Sequence, residues 1–88
     1  MRKFTFIFEF EKGTYVKQFI SSNLEKSLVI WFDSLNDNEI PQMNKDVKKQ
    51  LEVDILNESP TPLHGMEDVW CMLFLLNRKT ALLNIVGS

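Results

Sequence analysis

The stretch VWCMLFLL, residues 69–76, is a run of eight apolar residues in a chain of 88 residues, 25% of which are charged. A strand of this sequence points alternate side chains to opposite faces of its sheet. One face would hold Val69, Cys71, Leu73 and Leu75, and the other Trp70, Met72, Phe74 and Leu76. Because a strand that is apolar on both faces does not suit an edge exposed to water, the stretch predicts a central strand. A domain this small needs only one buried sheet face, so the question is what covers the second face.

The residues after this stretch complete a hairpin. Asn77 tolerates the positive φ of a tight turn, and residues 80–86 are strand-like. With an even-numbered loop, Ala81, Leu83 and Ile85 share the face of Trp70, while Leu82 and Val86 share the face of Leu73. An odd-numbered loop would break this arrangement.

The N-terminal sequence predicts a second hairpin. Residues 3–10, KFTFIFEF, alternate with period two, and a strand-like segment, TYVKQFI, follows Gly13. A loop of Lys12 and Gly13 uses the freedom of glycine to adopt a positive φ. The resulting pairs are Phe10 with Tyr15, Phe6 with Phe19, Glu9 with Val16 and Thr5 with Ile20, and Lys17 lies opposite Phe8 near an edge.

Two helices are expected between the hairpins. The first runs from about 23 to about 36, where Ser22 and Glu25 have the spacing of a capping box. Its apolar stripe consists of Leu24, Leu28, Trp31, Phe32 and Leu35. Asn44 is placed to cap the second helix, whose narrower stripe is Val47, Leu51 and Ile55. The segment 58–68 is predicted to be a loop, because its prolines disfavour both helix and sheet pairing.

These elements predict one α+β domain spanning residues 1–88. The expected architecture is a two-layer sandwich of order ββααββ, with a four-stranded, mainly antiparallel sheet and both helices on one face. The strand order stays open. The alternative is one helix on each face, which would bury the second sheet face within a monomer.

If both helices share one face, the other face is left as an apolar patch of several hundred Å², roughly the largest that soluble monomers show. Its members are Ile7, Val16, Ile20, Val69, Cys71, Leu73, Leu75, Leu82 and Val86. We expect this patch to be the interface of a homodimer, because two-fold dimers are the commonest assemblies.

Charge and composition limit the other partners and the compartment. The net charge is −2, and basic and acidic residues are interspersed, which disfavours nucleic acid. No apolar run is long enough to span a bilayer, and Glu9 interrupts the opening segment before it could serve as a signal peptide. A single cysteine cannot form an intramolecular disulfide, so we expect a cytoplasmic protein. Because no run spans a bilayer, we expect no membrane partner.

No catalytic or cofactor-binding constellation stands out. His64 and Cys71 are the only residues of their kinds, and Cys71 in mid-strand is expected to behave as a small hydrophobe. The three glycines are isolated, so no phosphate-binding loop is present, and no His or Cys has ligand spacing for zinc. We therefore expect a non-catalytic protein without a cofactor or metal. The alternative is a small enzyme or ligand-binding domain that uses the 58–68 loop.

Residues 4–35 resemble the opening of HicB-type antitoxins, in which a hairpin leads into a helix with a Ser-x-x-Glu start. The matching residues are Gly13, Tyr15, Ser22, Glu25, Ser27 and Leu28. The resemblance implies a toxin partner, although the chain departs from that family after residue 35. Together with the apolar patch, it suggests a self-associating protein-interaction module of a bacterial regulatory, antitoxin or immunity type.

Overall fold

The computed structural model describes residues 1–88 and consists of two helices and one antiparallel sheet of five strands. In chain order the elements are β1 (Arg2–Phe10), β2 (Gly13–Ser21), α1 (Leu24–Ser34), α2 (Lys45–Asn57), β3 (Thr61–Pro62), β4 (Val69–Leu76) and β5 (Lys79–Gly87). The strands are arranged β2-β1-β5-β4-β3. The predicted α+β class, with two hairpins flanking two helices, is confirmed.

The prediction of four strands is wrong, because the 58–68 segment contains the short strand β3. Thr61 pairs with Cys71 and Pro62 with Trp70, so the order is ββααβββ. Pro62 is tolerated because it lies opposite Trp70, whose own N–H and C=O face β5. The proline therefore removes no hydrogen bond from the ladder.

The predicted central position of 69–76 is met only in part, because β4 lies inside the sheet but next to its end. The central strands are β1 and β5, and β4 has only the two-residue β3 on its other side. Beyond Cys71 the strand is a sheet edge. Apolar residues on both faces of β4 therefore do not indicate that the strand has a full-length neighbour on each side.

The first hairpin turns at Glu11 and Lys12, which both have positive φ (52° and 68°), and not at Lys12 and Gly13. The register is shifted by two residues from the predicted one: Phe8 pairs with Tyr15, Phe4 with Phe19, Ile7 with Val16, Thr5 with Gln18 and Phe6 with Lys17. An even shift keeps every side chain on its predicted face. Gly13 is required for space, because a Cβ there would lie 2.7 Å from Cζ of Tyr15.

The second hairpin has the predicted even-numbered loop. Asn77 and Arg78 form a two-residue turn with φ values of 51° and 66°. Met72, Phe74, Ala81, Leu83 and Ile85 are buried on one face, and Trp70 packs against them. The predicted division of this hairpin into two faces is confirmed.

The helix boundaries differ slightly from expectation at α1. Its cap is Asn23, whose Oδ1 accepts a 2.9 Å hydrogen bond from the Lys26 N–H, and Ser22 is not the cap. The helix ends at Ser34 because Leu35 takes an extended conformation. The predicted cap of α2 is confirmed, since Asn44 Oδ1 accepts a 2.9 Å bond from the Val47 N–H.

Both helices pack on the same side of the sheet, which we call the inner face. Trp31 of α1 is only 1% exposed; its ring stacks on Phe6 with centroids 5.6 Å apart and meets Phe8 edge-on at 5.3 Å. The interhelical segment adds Ile40 and Met43 to the core, which the sequence pattern did not predict. The two helices leave the opposite side of the sheet, the outer face, uncovered. The buried cluster consists of Phe4, Phe6, Phe8, Phe10, Leu28, Trp31, Leu35, Ile40, Met43, Val47, Leu51, Met72, Phe74, Leu76, Ala81, Leu83 and Ile85.

Candidate interaction surface

The outer face carries the residues that the sequence predicted for an interface. Four of them are largely exposed: Val16 (59%), Ile20 (64%), Leu73 (62%) and Leu75 (61%). The other predicted members, Ile7, Val69, Cys71, Leu82 and Val86, are half-buried among their neighbours. Strand alternation thus brings all nine residues to one face, although they come from four strands.

Polar side chains interrupt the outer face across its middle. Gln18 Nε2 donates a 2.9 Å hydrogen bond to Thr5 Oγ1, and the pair lies beside Val86 in the ladder. Glu9 neighbours Leu82, and Asn84 lies between Ile7 and Cys71. The apolar side chains are therefore densest at the side of β4 and β5. We call the following residues the β4–β5 apolar group: Val69, Leu73, Leu75, Leu82 and Val86.

The two edges of the sheet have different chemistry. At the β2 edge, Lys17 Nζ donates to the Ser34 carbonyl at 3.0 Å and forms an ion pair with Glu39 Oε2 at 3.0 Å. The hydrogen bond from Lys17, followed by one from Asn36, holds the pKa of Glu39 below its ordinary value. The β4 edge carries no charged side chain between Val69 and Leu76.

The structure does not join the two residues considered for nucleophilic chemistry. Cys71 lies in β4 between Thr61 and Asn84, half-buried on the outer face. The strand therefore hides the thiol only in part. His64 lies in the exposed loop between β3 and β4, and no hydrogen bond connects it to Cys71.

The principal surface cavities lie away from the 58–68 loop. The largest, about 520 Å³, is lined by Asn44, Asp46, Val47, Gln50, Asn77 and Arg78 at one end of α2. None of the next three is lined by a residue of the loop. No cluster of three or more His, Cys, Asp or Glu side chains could hold a metal ion.

Four of the six residues that resemble HicB-type antitoxins serve the fold in this chain. Gly13 makes room for Tyr15, which packs against the core. Ser27 is buried, and its Oγ donates a 2.7 Å hydrogen bond to the Leu24 carbonyl. Leu28 belongs to the core cluster. These four residues are thus accounted for by the hairpin and the first turns of α1, whereas Ser22 is not the helix cap and Glu25 is exposed.

The open edge of β4 is the feature that the sequence pattern missed. Beyond Cys71, Leu73 and Leu75 expose their side chains on the outer face and have no strand on the side away from β5. The open edge could have been predicted from the 58–68 segment that precedes β4, because this segment is short and contains prolines, so it cannot form a long strand beside β4.

Neither helix in the structure has the length and apolarity needed to cross a membrane. Comparisons of the chain with protein-family models, with curated proteins and with solved structures give no match.

Proposed function

We propose that this chain is a non-catalytic protein-interaction module that associates with a second copy of itself by way of the exposed apolar side chains on the β4 side of its outer face. The observation that carries the proposal is that both helices cover the inner face and leave the outer face open. Its apolar side chains Leu73 and Leu75 stay more than half exposed. Burying such residues against a partner removes apolar surface from water and stabilises the complex.

The small size of the domain supports the same proposal. A chain of 88 residues buries a modest fraction of its surface on folding, so its stability as a monomer is limited. Covering the β4–β5 apolar group would add apolar burial without any change in the inner core. Self-association is the simplest source of this cover, because two-fold dimers are the commonest assemblies.

We further propose a cytoplasmic, bacterial role of a regulatory, antitoxin or immunity type, with a second protein as the eventual target. The support is the likeness of residues 4–35 to HicB-type antitoxins and the single cysteine of the chain.

The self-association proposal is tested with Leu73→Glu combined with Leu82→Glu. These substitutions put two carboxylates into the β4–β5 apolar group and leave the inner core unchanged. We expect light scattering to give a dimer for the parent protein and a monomer with the same circular dichroism spectrum for the double variant. The matched control is Val29→Glu on α1, where the side chain is 56% exposed away from the sheet, and it should remain dimeric. A parent protein that stays monomeric at high concentration, or a double variant that still dimerises, contradicts the proposal.

A further inference from the structure

We propose that two copies of this chain join edge to edge, with residues 72–76 of β4 pairing antiparallel with the same residues of a second copy. The inference rests on the self-association proposed above and places the contact at the β4 edge, where it covers parts of Leu73 and Leu75 and leaves the rest of the outer face free. Residues 72–76 are the part of β4 that β3 does not flank, and we call them the open half of β4.

The main-chain groups of Leu73 and Leu75 face this open edge. Leu76 and Lys79 flank the two-residue turn, and each donates a main-chain hydrogen bond to the other. Hydrogen-bonded pairs then recur at every second residue, so Phe74 and Met72 also bond to β5. The main-chain N–H and C=O groups of Leu73 and Leu75, which lie between these residues, therefore point away from β5. At the start of the strand this is seen directly, because the Val69 carbonyl accepts a 3.0 Å bond from the Leu63 N–H on the β3 side.

The length of the open half determines the register of the proposed pairing. A two-fold pairing of residues 72–76 with themselves is centred on Phe74, which sets Leu73 opposite the second copy's Leu75. Leu73 and Leu75 are the residues whose main-chain groups are free, so both pairs take the hydrogen-bonded position of an antiparallel ladder. The segment is therefore complementary to a copy of itself.

Charges at the two ends of β4 favour the antiparallel orientation. Glu67 and Asp68 precede the strand, whereas Arg78 and Lys79 follow it closely. Two of these four charges are already paired within the chain, which leaves Glu67 and Arg78 exposed without an ion-pair partner. Antiparallel pairing turns the basic end of one strand toward the acidic end of the other, and parallel pairing would bring like charges together.

The flank of α2 provides further apolar surface beside the same edge. α2 packs over β4, whereas α1 packs over β1 and β2. Gln50 of α2 accepts a 2.9 Å hydrogen bond from the Asn77 N–H, so its flank of the helix faces the β4–β5 turn. Val53 follows one turn later on that flank and is 46% exposed. Edge pairing brings the two α2 flanks together and covers Val53 as well as parts of Leu73 and Leu75.

The opposite edge of the sheet lacks these properties. β2 also presents unpaired main-chain groups, at Thr14, Val16, Gln18 and Ile20. However, Lys17 lies in the middle of β2 and directs its charge over the inner face toward Ser34 and Glu39. An inward-pointing charge on an edge strand opposes the addition of another strand. The β2 edge thus serves as an internal control.

The test is amide hydrogen exchange measured by NMR at two protein concentrations, one below and one above the dimer midpoint found by light scattering. We expect the amides of Leu73 and Leu75 to slow together as dimer forms, by about tenfold when nine tenths of the chain is dimeric, because exchange then requires the pair to open. The amides of Val16 and Gln18 should keep their rates. A dimer in which Leu73 and Leu75 exchange as fast as Val16 overturns edge pairing but leaves self-association intact. A chain that never dimerises overturns both.

Proline substitutions give an independent test with a matched control. Leu75→Pro and Val16→Pro each remove an outward N–H that no strand of the same chain uses. We expect Leu75→Pro to be a folded monomer and Val16→Pro to remain a dimer. A folded Leu75→Pro that dimerises like the parent overturns the inference. Should Leu75→Pro fail to fold, the amide rates of the parent protein decide the question.

Discussion

Replacing Trp31 with alanine should remove the main contact between α1 and the sheet. The side chain is 1% exposed, and its indole packs on Phe6 and Phe8 with centroid separations of 5.6 and 5.3 Å. Truncating a buried Trp costs about 3–5 kcal/mol. We expect the upper part of this range, because two aromatic pairs are lost, each worth about 0.5–1.5 kcal/mol.

This loss is large compared with the stability of the whole domain. At about 0.05–0.15 kcal/mol per residue, a domain of this length has a free energy of unfolding of about 4–13 kcal/mol. With a urea m-value of about 1 kcal/mol/M, the midpoint should fall by about 3–5 M. Trp31→Ala should therefore lose a large share of the stability of the domain and, at the low end of this range, all of it. Trp31→Phe should lose less because it keeps an aromatic ring on Phe6.

The assay is urea unfolding followed by circular dichroism at one fixed protein concentration, since dimerisation makes the midpoint depend on concentration. Val29→Ala on the same helix is the control, because Val29 is 56% exposed and its loss should change stability by no more than about 0.5 kcal/mol. A Trp31→Ala midpoint equal to that of Val29→Ala would refute the assignment of Trp31 to the core.

Two further predictions concern Cys71 and Glu39. Because Cys71 is half-buried on the outer face, we expect a thiol reagent to label the folded monomer. Edge-paired dimers leave the outer face open, so they should be labelled at a similar rate. Labelling that stops on dimerisation would indicate that the outer faces stack on each other instead. The lowered pKa of Glu39 means that its contact with Lys17 stabilises the fold above the ordinary carboxyl pKa, about 4.3. This contribution is lost as the pH falls through the lowered folded-state value. Glu39→Gln should thus reduce the thermal midpoint at pH 7 and have less effect at pH 2, whereas the exposed control Glu52→Gln should show no such difference.

The period of the side chains made much of the fold predictable. Phe4, Phe6 and Phe8 alternate with smaller or polar residues, so all three lie on one face of the strand. A shift of two residues in the strand pairing leaves them on that face. For that reason the predicted first hairpin had the wrong pairs but the right faces. The Asn44 cap was predictable because the side-chain acceptor and the helix N–H that it bonds are three residues apart.

Local rules were less informative where a contact depends on distant residues. The turn at Glu11 and Lys12 was missed because glycine is the usual residue at positive φ, while Gly13 is needed to accommodate the ring of Tyr15. Ile40 and Met43 were missed because they lie in an irregular segment without a period, and only the packing of the two helices shows that they are buried.

The sequence by itself determined which residues share a face, because strand and helix periods are local properties of the chain. The composition of the outer face, including Leu73, Leu75 and Leu82, followed from that period alone. Only the tertiary structure decided the order of the strands and the side on which the helices pack. Those choices depend on long-range packing, which put β1 and β5 at the centre, left β3 too short to cover β4, and thereby opened the edge at residues 72–76.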